Sequence, residues 1–324
     1  MTDKQSSFGV LSLGDLLRIN PKPPVCLIEP GLLPEQGILF CGGEPKVGKS
    51  LLISNLALAL AAGSPRAGFT VPSARKVLIC QFELPTEQFA ARLWLMRQAL
   101  GSGADDNLFV DTRSAGHMLS STSGLNHFIA AVRAAAADVI VLDPLYSAHD
   151  QDENDTRAMA ALCQTLLRLR DATRSALIVV HHIRKSVGRH EIGTAFRGSS
   201  ALHAVGDSYM LLTRPSPQLN TVELRFQFRY AAPQAPMLLN LDPVSLWFAS
   251  SDQPPQSCEP RRKVETTDVQ KALAAIGSAA GYNELRYQIM TMTTCSKRTA
   301  QLAITRACDE KALVRNNGHY SLPV

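Results

Sequence analysis

No run of apolar residues in this 324-residue chain approaches the ~20 that a membrane-spanning helix requires, so no membrane span or membrane partner is expected. The opening stretch, Met1 to Gly9, is polar and holds no apolar export core, so no export is expected. The seven cysteines include no C-x-x-C pair and no metal-ligand spacing. An odd count without a framework suits a reducing compartment, and the expected location is the cytoplasm. Cys41, Cys80 and Cys163 lie in apolar runs and read as small core residues. A strong charge imbalance is missing too: the net charge of +5 permits a nucleic-acid partner without requiring one. With 45% hydrophobic residues, the chain is long enough for one large domain and a smaller one.

Against this plain background one stretch organises the rest. Gly43-Glu44-Pro45-Lys46-Val47-Gly48-Lys49-Ser50 fits the Walker A template G-x-x-x-x-G-K-[ST] without mismatch. Residues 37–41 before it read as a buried strand, and residues 51–62 after it as a buried helix ended by Gly63. A strand, a glycine-bounded loop and a helix aim backbone N–H groups and a helix N-terminus at one anion. A chance glycine-lysine turn would not bring both flanks. Gly43 through Leu51 is therefore the expected nucleotide-binding segment. Gly48 allows close approach of the backbone, Lys49 reaches the β- and γ-phosphates, and Ser50 ligates Mg²⁺.

Other stretches would complete such a site. Residues 75–83 read as a buried strand ending in Glu83, and Pro85 opens an amphipathic helix over 86–100. Ligands bind at the C-terminal edge of parallel strands, so Glu83 is a candidate base for the attacking water; otherwise it caps the helix or faces solvent. An alanine-rich helix over 122–137 precedes Asp138-Val139-Ile140-Val141-Leu142-Asp143, a Walker B strand whose Asp143 holds the Mg²⁺ shell opposite Ser50. Pro144 prevents a simple helical continuation. Residues 149–155 read as a mobile acidic loop, with Asp155 or Thr156 capping a helix over 157–173. A second metal site among those acids is the lesser reading. Residues 175–182 form another buried strand, and His182 at its end is either a γ-phosphate sensor or a structural histidine. Arg184, Lys185, Arg189, His190 and Arg197 then make a basic, glycine-bearing loop. It lines a nucleic-acid channel or simply faces solvent, Phe196 being its only aromatic.

A short helix, a strand over 208–212 and strands over 221–230, 237–241 and 245–248 read as an antiparallel extension. Residues 250–260 are a linker by composition. Helices over 266–276, 282–290 and 296–311 follow, then a hairpin around Asn316-Asn317-Gly318. That order reads as a winged helix-turn-helix. Lys297, Arg298 and Arg306 of its third helix would face DNA phosphates or bases, unless the module binds protein instead. The expected organisation is an arm over 1–30, a nucleotide domain over 31–250, a linker over 251–263 and a winged helix over 264–324. The arm would carry a short helix over 11–17, broken by Pro21, Pro23 and Pro24. It covers the sheet edge or docks on a neighbouring subunit.

The Gly43–Ser50 loop, Glu83, Leu142-Asp143-Pro144-Leu145, His181-His182-x-x-Lys185 and Arg197-Gly198-Ser199-Ser200 occur in an order that resembles the RecA-like ATPases of the plasmid RepA helicase group. The resemblance covers about two thirds of the chain. Residues 81–88 are also similar to the matching segment of DnaB-type helicases. The resemblance implies an α/β RecA-like P-loop core with a mainly parallel sheet, and ATP with Mg²⁺ as cofactors. It implies Lys49 and Ser50 at phosphate and Mg²⁺, Glu83 as base, Asp143 at the metal and His182 as sensor. It implies a ring, in the family a hexamer, with single-stranded DNA at its centre; the winged helix would add duplex DNA. In the family a lysine and an arginine two residues apart on a late strand reach the neighbour's site. Here Arg229 matches the arginine finger, Gln227 departs from the lysine, and Arg225 is a second candidate.

Two functions follow. One is an oligomeric DNA-dependent ATPase, a RepA-like replicative helicase of a plasmid, phage or mobile element. The other is an ATP-switched DNA-binding regulator or recombination mediator without unwinding activity. A metabolic P-loop kinase is disfavoured by the basic loop, the C-terminal module and the lack of a substrate lid.

Overall fold

Strands covered on both faces must be apolar at every position, and the larger unit of this chain is built from runs of that kind. The computed structural model describes residues 10–18, 25–183, 192, 200–215, 220–251, 264–293, 295–316 and 318–323. They belong to two units, Met1–Pro255 and Gln256–Val324.

In the first unit the order is α1 (Leu13–Arg18), β1 (Cys26–Ile28), β2 (Leu33–Pro34), β3 (Ile38–Gly43), α2 (Lys49–Ala62), β4 (Val77–Gln81), α3 (Thr86–Leu100), β5 (Leu108–Asp111), α4 (Thr122–Ala135), β6 (Val139–Asp143), α5 (Thr156–Thr173), β7 (Ala176–His182), α6 (Ser200–Val205), β8 (Ser208–Thr213), β9 (Thr221–Phe228), β10 (Met237–Leu241) and β11 (Phe248–Ser250). The main sheet runs β11-β10-β9-β8-β3-β7-β6-β4-β5. Pairing is parallel from β8 through β3, β7, β6 and β4 to β5. It is antiparallel among β8, β9, β10 and β11.

The period-2 alternation of β7 divides the core. Ile178 and Val180 join the layer containing α2 and α3. Leu177 and Val179 join the layer containing α4 and α5. Helix α2 is apolar all round because it is covered all round: every residue from Leu52 to Ala61 is buried. Gly63, at φ 63°, ends it with a backbone N–H aimed at the carbonyls of Ala59 and Leu60. Asp155 caps α5 by accepting from the backbone N–H of Arg157 at 2.8 Å.

The second unit contains α7 (Thr266–Ile276), β12 (Ala279–Gly281), α8 (Tyr282–Thr293), α9 (Lys297–Asp309), β13 (Val314–Asn316) and β14 (His319–Ser321). Its three strands pair antiparallel in the order β12-β14-β13. Leu273, Leu285, Ile289, Ile304 and Tyr320 form its own core.

Several expectations need correction. Cys26–Ile28 is a strand, and Leu27 and Ile28 are buried in the main core, so the arm ends before residue 30. The last strand of the sheet is Phe248–Ser250 rather than 245–248, because Asp242 accepts from the backbone N–H groups of Val244 and Ser245 and closes a turn there. Strand β9 stops at Phe228, so Arg229 follows the strand instead of lying on it. Strands β5 and β12 add to the expected set. Arg184, Lys185, Arg189 and Arg197 of the basic loop lie outside the described residues, as does the linker over 252–263.

Candidate nucleotide site

In a parallel βα arrangement the strands end together at one edge, and there β4, β5, β6, β7 and β8 end in the polar residues Gln81, Asp111, Asp143, His182 and Thr213. The register sets Gly43 beside His182, and Gln81 beside Asp143. The P-loop leaves β3 at Gly43, where an added Cβ would lie 2.7 Å from the carbonyl oxygen of Leu212. It turns through Lys46 at φ 63° and Gly48 at φ 108° into α2. Only glycine takes the latter conformation without strain. No side chain caps α2, so its first N–H groups remain available to an anion.

Lys49 is buried, and its ammonium donates to the carbonyl oxygens of Gly43 at 2.9 Å and Glu44 at 3.0 Å. His182 Nδ1 lies 3.1 Å from Lys49 Nζ. The Ser50 hydroxyl donates to Asp143 Oδ1 at 3.0 Å. Glu83 accepts from the Tyr146 hydroxyl. The side-chain oxygen of Gln81 accepts from the backbone N–H of Leu84 at 3.1 Å and fixes the turn carrying Glu83. A cavity of about 340 Å³ is bounded by Lys46, Gly48, Lys49, Ser50, Leu51, Glu83, Arg92, Asp143 and His182. Of the expected nucleotide-binding residues, Gly43, Glu44, Pro45 and Val47 do not line it. Gly43 and Val47 are instead buried supports of the loop, whereas Glu44 and Pro45 are exposed.

Burial sets the electrostatics. It pushes the Asp143 carboxyl up to about 6, with Glu83 adding to the rise and Ser50, Lys49 and Arg92 opposing it. Burial also lowers the Lys49 ammonium, against the pull of Cys41, Asp143 and Glu83. His182 is lowered by burial first and by Lys49 second. A neutral His182 facing a lysine can accept or donate a hydrogen bond without adding charge.

The donor set fits a hard dication. Asp143 is a buried carboxylate, and Ser50 offers a hydroxyl within 3.0 Å of it. Those two residues would hold Mg²⁺, which supplies charge neutralisation at phosphate oxygens. Lys49 and the N-terminus of α2 supply positive charge at the same place. Glu83, exposed and across the cavity, is a carboxylate able to accept a proton from water.

Arg229 is not part of this cavity. Its backbone follows β9 at the opposite edge of the sheet, where Phe228 pairs with Ser208. Its guanidinium bonds Asp207 Oδ1 and the carbonyl of Ala204, each at 3.1 Å. Gln227 faces His203 at 3.2 Å. Arg225 pairs with Glu223. Lys297 and Arg298 are exposed in the first turn of α9, and Arg306 is half-buried near its end.

Sequence reasoning missed Tyr146, Arg92 and Asn55. Arg92 carried a signal: it lies three residues after buried Phe89 and four before buried Met96, on the core stripe of α3. Asn55 stood out as a polar residue inside an apolar helix. It is fully buried, accepting from the Phe248 N–H at 2.8 Å and donating to the Leu246 carbonyl at 3.1 Å. Tyr146 carried no periodic signal.

This fold is found in known proteins. One solved ATPase domain is 14% identical, with a TM-score of 0.52, over 67% of this chain and 86% of that one. A DnaB-like replicative helicase, described together with its interactions with primase, is 13% identical, with a TM-score of 0.54, over 66% of this chain. The match spans 57% of that helicase's chain. At these identities the likeness is one of fold, and the fold is that of RecA-like P-loop ATPase domains. No curated protein matches the chain. A family model described as an AAA domain matches residues 4–188, more than half of the sequence, and the chain belongs to that family. Among the described residues no helix is long and apolar enough to cross a membrane.

Proposed function

We propose that this protein is an oligomeric DNA-dependent ATPase, a RepA-like replicative helicase that translocates on single-stranded DNA of a plasmid, phage or mobile element. The observation that carries the proposal is the convergence of Lys49, Ser50, Glu83, Asp143 and His182 on one strand edge. Lys49 binds the β- and γ-phosphates, Ser50 and Asp143 hold Mg²⁺, Glu83 activates water, and His182 senses the γ-phosphate. Arg229 serves a neighbour's site in a hexameric ring. Its distance from its own P-loop edge supports action in trans rather than in cis.

Residues 264–324 act as a winged helix that binds duplex DNA, joined by a linker over 251–263. Lys297 and Arg298 support this reading. Cations in the first turn oppose the helix dipole, so they do not serve the helix itself. Arg184, Lys185, Arg189 and Arg197 line the path of the single strand.

One observation favours the second reading, an ATP-switched DNA-binding regulator or recombination mediator. Arg229 and Gln227 already have partners in their own chain, Asp207 and His203. The test is ATP turnover with and without single-stranded DNA, with mass in solution and displacement of a forked duplex. The helicase reading expects stimulation, a ring and displacement. Stimulation and a ring without displacement select the regulator. A monomer whose turnover ignores DNA refutes both.

A further inference from the structure

Glu83 lies two residues beyond the end of β4, exposed to solvent. An exposed glutamate samples several rotamers, and a base that must meet a water beside a phosphate works from one of them. Something has to select it. Gln81 holds the backbone of the turn, but it does not touch the Glu83 carboxylate. The carboxylate is held by Tyr146, whose hydroxyl donates to Oε1. Among the described residues Oε2 accepts no hydrogen bond, so one oxygen is fixed and the other is left for water.

Tyr146 is placed to do this by the metal-side strand. It belongs to the one-turn segment Leu145–Ala148, directly after Asp143-Pro144. Its ring lies 5.3 Å from the His182 ring at an interplanar angle of 49°. One side chain thus bonds the candidate base through its hydroxyl and packs on the candidate sensor through its ring. The hydrogen bond to Glu83 is also the main reason the Tyr146 phenol is raised above its ordinary value, so the proton stays on the tyrosine. Tyr146 is therefore a donor to Glu83, not a competing acceptor.

We infer that Tyr146 is a positioning residue for hydrolysis: its hydroxyl fixes the Glu83 carboxylate in the rotamer that accepts the proton of the attacking water. This rests on the reading of Glu83 as the base. Removing the hydroxyl leaves the carboxylate in place chemically but unfixed, so the loss falls on the chemical step and not on nucleotide binding.

The test is Tyr146→Phe, Glu83→Gln and the double variant in the full chain, measured by single-turnover ATP hydrolysis and by titration with a fluorescent ATP analogue. Tyr146→Phe keeps the ring against His182 and sits at a half-exposed position, so the fold is retained. The expected result is a hydrolysis rate lower by about 10- to 150-fold with affinity within about twofold, the size of one charge-assisted hydrogen bond. In the Glu83→Gln background the same change should cost nothing further, because there is no base left to position. An unchanged rate in Tyr146→Phe, with Glu83→Gln inactive, overturns the role of Tyr146 alone. An equal loss in both backgrounds also overturns it, since the tyrosine would then act without Glu83. A Glu83→Gln variant at the parental rate overturns the base assignment itself and the role of Tyr146 with it.

Discussion

Asn55→Ala should weaken both the fold and the nucleotide site, although Asn55 does not line the cavity. The side chain is fully buried in α2 and acts as a two-point clamp on the turn before β11. Its oxygen takes the Phe248 N–H at 2.8 Å and its amide gives to the Leu246 carbonyl at 3.1 Å. Alanine leaves the buried Phe248 N–H and the partly buried Leu246 carbonyl without those partners. Each such loss costs about 1–3 kcal/mol, so about 2–6 kcal/mol in all. For a unit of this size that lowers Tm by about 5–15 °C. Phe248 also backs the P-loop: a Cβ at Gly48 would meet its ring at 3.1 Å. Loosening Phe248 should therefore weaken ATP affinity by several-fold as well. Urea unfolding followed by circular dichroism, with an ATP-analogue titration, measures both. Asn55→Leu keeps most of the volume and should still lose the hydrogen-bond part. If Asn55→Ala unfolds within about 1 kcal/mol of the parent, and nucleotide affinity is unchanged, the clamp is not what holds β11 and the reasoning fails.

Lys49→Ala should abolish turnover in a steady-state assay, whereas Glu83→Gln should bind ATP normally and hydrolyse it about 10²–10⁴-fold more slowly. Turnover near the parental rate in Glu83→Gln would show that the base lies elsewhere. Arg229→Ala should be nearly inactive alone yet recover activity when mixed with Lys49→Ala subunits, because some interfaces then pair an intact Lys49 with an intact Arg229; no recovery in mixed oligomers of verified composition refutes a finger in trans. His181 makes acid stability a further readout. Burial, then His182, His149 and Lys49, holds its pKa down at about 4, against 6.5 in the unfolded chain. Between those values the unfolded state takes up a proton that the native state refuses, so His181 contributes a rise in stability from pH 4 to 6.5 that levels off above, set against the opposite contribution of Asp143, whose carboxyl burial raises from 3.8 to about 6. His181→Asn should remove that rise, so the parent's Tm should gain on the variant's between pH 4 and 6.5; an unchanging difference across the window would refute the role of His181.

The sequence alone determined what rests on local chemistry. Gly43 to Ser50 has the spacing of a phosphate cradle, and the apolar runs around it read as a strand and a helix. The positions of Asp143 and His182 were legible because parallel strands end at a common edge, so a polar residue closing an apolar run points there, whereas Glu83, read as a strand end, lies two residues beyond β4 and reaches the cavity from the following turn. The tertiary structure decided what depends on pairing between distant segments. Leu27 and Ile28 enter the core because that core extends to meet them, which no local pattern in a proline-bearing arm announces. Asn55 is a clamp only because β11 lies against α2, 193 residues later in the chain for Phe248. Tyr146 meets Glu83 only because β6 pairs with β4, which brings Asp143 beside Gln81. Arg229 meets Asp207 because β9 runs antiparallel to β8, which carries its end to the edge away from the P-loop. Sequence spacing sets which residues leave each strand together. Sheet order and strand direction set which of them come within a hydrogen bond of one another.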